Sequence, residues 1–105
     1  MFVYHIITKE NLDRDTDSEG TYQPTKGVSF IHTTPSIEQL SLVDKLRELK
    51  NEEVYLLKID LKKINRANIQ ISISKDGNRK YHHIYCPLKK DVYTKELVDL
   101  SKILN

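Results

Sequence analysis

Three of the four histidines in this chain, His5, His32 and His83, fall inside apolar runs, and His82 stands beside the last of them. An imidazole can move a proton near neutral pH, bond a hydroxyl or ligate a metal, so these positions are the first place to look for chemistry. His32 is followed by Thr33-Thr34-Pro35, which places it where a strand meets a helix start. Free backbone N–H groups and the helix dipole favour an anion at such a junction. One strand histidine is more often a hydrogen-bonded core residue than a ligand, but three of them in 105 residues weaken that reading for the group. Three neutral imidazoles can also hold zinc with a fourth position open. No two of the histidines have the i, i+4 spacing of a helical ligand pair, and the single cysteine excludes a cysteine-based cluster, so no metal is expected. Cys86, just before Pro87 at the end of an edge-like strand, reads as a packing residue.

The elements that must carry these residues follow from period and punctuation. Residues 2–8, FVYHIIT, are nearly all β-branched or aromatic and apolar on both faces, which predicts a central strand with His5 deep in the protein. Residues 9–26 are acidic and hold one aliphatic residue, Leu12, so a helical turn near 10–15 and a mobile loop are expected. VSFIHT, residues 28–33, predicts a second strand with Val28, Phe30 and His32 on one face. Thr34 can cap, and Pro35 suits the first position, of a helix over about 35–50 whose apolar side is Ile37, Leu40, Val43, Leu46 and Leu49. Residues 53–61 predict a third strand. Residues 68–74 alternate isoleucine with glutamine and serine, Lys75-Asp76-Gly77-Asn78 has turn chemistry, and residues 79–86 return. In the return strand Tyr81, His83 and Tyr85 share a face. For the tail, a short strand at 92–94 followed by a C-terminal helix is expected. Short strands clustered late, with one main helix, indicate an α+β class and a single domain over 1–105.

Composition limits the partners. The chain has 17 basic and 15 acidic side chains, too even a balance to demand a polyanion. No apolar run nears the ~20 residues that span a bilayer, and the N-terminus lacks signal-peptide features, so a soluble cytoplasmic module with no membrane partner is expected. The charge is uneven all the same. Residues 1–57 carry six basic and ten acidic groups, whereas 58–90 carry nine and two. Lys58, Lys62, Lys63, Arg66, Lys75, Arg79, Lys80, Lys89 and Lys90, interleaved with Tyr81 and Tyr85, leave open a nucleic-acid-facing or protein-facing surface.

Several motifs occur together in order: Tyr4-His5-Ile6, GVSFIHT over 27–33, Leu56-Leu57-Lys58-Ile59-Asp60, and His83-Ile84-Tyr85-Cys86-Pro87-Leu88, with Tyr22 after Gly20 and Gln39 in the helix. This series resembles domain-of-unknown-function family 952 over roughly residues 2–93. That family's fold is similar to the ADP-ribosyltransferase and RNA 2′-phosphotransferase fold, a split, bent antiparallel sheet around an NAD-binding cleft. The resemblance implies that His5 contacts the adenosine-side ribose or phosphate. It implies that His32, Thr33 and Thr34 contact the nicotinamide-side ribose, and that Tyr22 or Tyr85 flanks the nicotinamide, with His83 in support. NAD, ADP-ribose or a related nucleotide is then the expected ligand. His5 and His32 are the expected catalytic pair if ADP-ribosyl or 2′-phosphate transfer occurs. Residues 69–74 carry no carboxylate where many active transferases of this fold have a glutamate, so binding is the firmer expectation.

Overall fold

Strand-forming residues dominate FVYHIIT, and they form β1 (Phe2–Thr8), the first element of a computed structural model that describes residues 1–24, 30–37, 48, 49 and 51–103. The Thr8 hydroxyl accepts the Asn11 N–H and caps α1 (Lys9–Asp15), which turns Leu12 into the core. Then come β2 (Ile31–His32), β3 (Val54–Asp60), β4 (Ile69–Ile73), β5 (Lys80–Ile84), β6 (Tyr93–Val98) and α2 (Leu100–Ile103). Between β3 and β4 the Asp60 and Asn65 side chains cap short 3-10 turns at Leu61–Lys63 and Arg66–Asn68. The result is a small α+β architecture of two three-stranded antiparallel sheets, ordered β1-β3-β6 and β2-β5-β4.

Alternation along the strands builds the core between the sheets. Val3 and Ile7 of β1 meet Leu57 and Ile59 of β3, and Ile31 and Ile84 close the group from the other sheet together with Leu12, Tyr22 and Leu88. On the opposite face of the first sheet, Tyr4, Ile6, Leu56 and Val98 gather beside Leu49. Single rungs splice the halves. Tyr4 and Thr34 exchange both main-chain hydrogen bonds at 2.8 Å, and Tyr22 and Leu88 do so at 2.9 and 2.8 Å.

Several expectations need correction. β3, not β1, is the centre of its sheet, because β1 is paired along its length only on the β3 side and meets Thr34 by one rung on the other. β5 is likewise central rather than edge-like, with β2 and β4 on its two sides. Residues 16–24 form a hydrogen-bonded turn instead of a loose loop: the Asp17 carboxylate accepts the N–H groups of Glu19 and Thr21. In the tail the strand runs on through Val98, because the edge of β3 offers partners from Val54 to Ile59. A helix of so few residues has no comparable stability alone. In β4, Ile69 is half-buried opposite Ile84, whereas Ile71 and Ile73, farther out along the hairpin, are 58% and 62% exposed. Most of the helix expected over 35–50, and residues 25–29 of the second strand region, lie outside the described residues.

Candidate functional site

His5 occupies the inward face of β1, between Val3 and Ile7 and across from Leu57. Its Nδ1 lies 2.6 Å from the carbonyl oxygen of His32. That carbonyl is available for a reason of register. Ladder hydrogen bonds alternate in antiparallel pairs, and Tyr85 N–H donates to Asn68 while Ser74 N–H donates to the Arg79 carbonyl. On β5 the main-chain groups of Tyr81 and His83 therefore serve β4, and those of Ile84 serve β2 at Ile31. His32, opposite His83, turns its own carbonyl away from its sheet and towards β1. A carbonyl can only accept, so Nδ1 carries the hydrogen. Desolvation lowers the His5 pKa from 6.5 to about 4, outweighing the bond to His32, and a charge on His32 would lower it further. At neutral pH His5 is thus an uncharged imidazole with one tautomer, whose Nε2 lone pair is an acceptor.

Beside this contact, which half-buried His5 makes with exposed His32, the second sheet carries a run of rings. His32 and His83 share a rung, with ring centroids 5.1 Å apart in an edge-on arrangement. Phe30 stacks on His83 at 4.4 Å and sits 4.6 Å from His32 and 5.1 Å from Tyr85. Gln70 follows on the same rung as His83 and its side-chain oxygen accepts the Tyr85 hydroxyl at 3.1 Å. Phe30 and His83 are half-buried, His32 and Tyr85 exposed, so the cluster is a surface able to stack on a flat ligand. Phe30 and Gln70 were not among the sequence candidates. The signal for Phe30 was its shared parity with His32, and for Gln70 it was pairing across the hairpin.

The remaining candidates are placed elsewhere. The Thr33 hydroxyl is buried and donates to the His82 carbonyl at 2.6 Å, tying the strand end to β5. Thr34 is buried and its main chain is used by Tyr4. Tyr22 is 4% exposed, within the core between Thr16 and Leu88, and burial pushes its phenol pKa up to about 12. His82 faces inward with a buried Nδ1 that has no hydrogen-bond partner, and desolvation lowers its pKa. Among the described residues no three histidine, cysteine, aspartate or glutamate side chains gather as a metal-binding group. Half-buried Cys86 packs against the core, and desolvation raises its thiol pKa.

Several basic residues of 58–90 gather around Asp91. Lys58 lies over the Phe2 ring at 4.4 Å, Lys63 donates to the Asp91 carbonyl at 3.0 Å, and Arg79 reaches Asp76 at 4.0 Å near the hairpin turn. Lys89 and Lys90 border a depression with Glu19 and Thr21 that shares Asp91 with the one lined by Lys58 and Lys63.

Two antiparallel three-stranded sheets, spliced by single rungs and meeting at a neutral histidine, define a small α+β protein. The chain belongs to the family described as protein of unknown function (DUF952), which it matches over residues 6–95. Its architecture is similar to the crystal structure of protein CC0527 from Caulobacter crescentus, with a TM-score of 0.72 and 18% identity over 94% of this chain and 87% of that one. At that identity the likeness is one of fold. None of the curated proteins matches the chain. No helix among the described residues is long and apolar enough to cross a membrane.

Proposed function

We propose that the protein binds NAD, ADP-ribose or a related nucleotide at the seam between its sheets, in a fold of the ADP-ribosyltransferase kind. The observation that carries this reading is the fixed, neutral state of His5, with Nδ1–H held by the His32 carbonyl. Its Nε2 then suits a ribose hydroxyl, which donates without any change of charge in the site. The neighbouring rings of Phe30, His32, His83 and Tyr85 suit the flat face of a base or of nicotinamide. Thr33 and Thr34 serve this site through the main chain and the core rather than by touching the ligand. NAD, when bound, would supply an ADP-ribosyl group; the residues of this chain hold its sugar and ring.

Calorimetric titration of the wild type with NAD, ADP-ribose and a 2′-phosphorylated nucleotide tests the reading, alongside His5→Ala and His32→Ala. Binding weakened about tenfold or more in His5→Ala, the worth of roughly one hydrogen bond, is the expected result. No heat from any of the nucleotides at millimolar concentration removes the proposal. RNA binding that falls steeply with salt and ignores both histidine changes would instead assign the function to the basic 58–90 region.

A further inference from the structure

Among the described residues the outer edge of β4 differs from that of β6. β6 carries Lys95 and Glu96 in mid-strand, which is how natural sheets discourage further pairing. β4 reads Ile69-Gln70-Ile71-Ser72-Ile73, with no charge, proline or glycine. Ile71 and Ile73 stand 58% and 62% exposed on it. Among the described residues no strand pairs with this edge.

Register decides which groups the edge presents. Asn68 and Ser74 bond to β5 through Tyr85 and Arg79, so Gln70 and Ser72 do likewise by alternation. The N–H and C=O groups of Ile71 and Ile73 and the C=O of Ile69 therefore point outward, unpaired by any strand among the described residues, while the Ile69 N–H donates to the Arg66 carbonyl.

We propose that this edge pairs with the β4 of a second copy of the chain, antiparallel about a two-fold axis at Ile71. In this register Ile71 exchanges both main-chain hydrogen bonds with its symmetry mate, and the Ile73 N–H donates to the Ile69 carbonyl of the second copy. The same alignment sets Ile71 beside Ile71 on one face and Gln70 beside Ser72 on the other, apolar with apolar and polar with polar. A one-residue slip would lose the outward-pointing pairs and place isoleucine beside serine. The product is a continuous sheet β2-β5-β4-β4-β5-β2, with the His83 and Gln70 faces of both copies on one side.

Sedimentation or light scattering of the full chain is the first measurement. A mass of twice 12.3 kDa is expected, with Ile71→Lys returning to 12.3 kDa and an unchanged circular dichroism spectrum. Register is tested in a Cys86→Ala background by mild oxidation. Ile71→Cys faces itself at about 5.5 Å between Cα atoms, within disulfide reach, and is expected to form a covalent dimer. Ile73→Cys is four residues from its own mate, roughly 13 Å, and is expected not to. A wild type that stays monomeric throughout the concentration series overturns the proposal. So does cross-linking of Ile73→Cys in preference to Ile71→Cys.

Discussion

The side chain of His5 and the main chain of His32 form one unit, Nδ1 to carbonyl oxygen at 2.6 Å across the seam of two sheets. This contact orients the ring and selects its tautomer, while desolvation, acting against the bond, keeps the ring uncharged. Its first consequence is acid sensitivity. The folded pKa of about 4 lies below the ordinary 6.5, so between these values the unfolded chain binds a proton that the folded chain refuses. Stability is complete above about pH 6.5 and falls as the pH drops towards 4. The His5 resonances in a proton NMR titration are expected to move near pH 4, well after those of an ordinary histidine. In His5→Leu the urea midpoint should lose part of its slope over that window, with His82, whose pKa is also lowered, supplying the rest.

Thr33 offers a cleaner test of how the site is held. Thr33→Val keeps the shape and deletes the bond from the buried hydroxyl to the His82 carbonyl. A loss of about 1 kcal/mol is expected, seen as a lower urea midpoint at constant m. Nucleotide affinity should fall by less than in His5→Ala, because Thr33 acts through position.

Two glycines have left-handed backbones and separate conformational cost from crowding. Gly77, at φ +74 in the hairpin turn, has nothing within 4 Å of an added Cβ. Gly77→Ala is therefore expected to cost only the left-handed penalty, about 1 kcal/mol. At Gly20, φ +83, an added Cβ would sit 3.2 Å from the Lys90 Cβ, and the Gly20 carbonyl also accepts the Tyr93 hydroxyl at 3.0 Å. Gly20→Ala should lower the thermal midpoint more than Gly77→Ala.

Leucines on neighbouring strands should respond oppositely to truncation. Leu57, fully buried at the centre of the first sheet, should lose roughly 2–5 kcal/mol as alanine. Leu97 is 55% exposed on β6, so Leu97→Ala is expected to stay within about 0.5 kcal/mol in chemical denaturation. A helical tail with Leu97 packed inward would have put Leu97 among the sensitive positions.

Much of this architecture was legible residue by residue. β1, β3 and the β4–β5 hairpin lie within a residue or two of their expected bounds, because β-branched alternation and the Asp76-Gly77 turn are local signals. What local signals cannot carry is who pairs with whom. The centrality of β3 and β5 depends on partners far along the chain, and so does the extension of β6 against the edge of β3. The candidate site divides in the same way. The shared parity of His83 and Tyr85 follows from period alone, whereas the His5–His32 contact depends on which way a carbonyl turns in a long-range pairing. The place of Tyr22 in the core likewise depends on long-range rungs, to Thr16 and Leu88, that no local motif carries.

The unequal spacing of the strand partners bears on how the molecule forms. Among the described strands β4 and β5 alone are joined by a tight turn; β1 must find β3 across the intervening segment, and β2 must find β5. Loop closure of that length slows assembly, whereas a hairpin closes in microseconds. In pulse-labelled hydrogen exchange during refolding, the amides of Ser72 and His83 should gain protection before those of Val3 and His5. The surface that carries Gln70, His83 and Tyr85 is thus assembled early, and the seam histidine reaches its carbonyl near the end of the reaction.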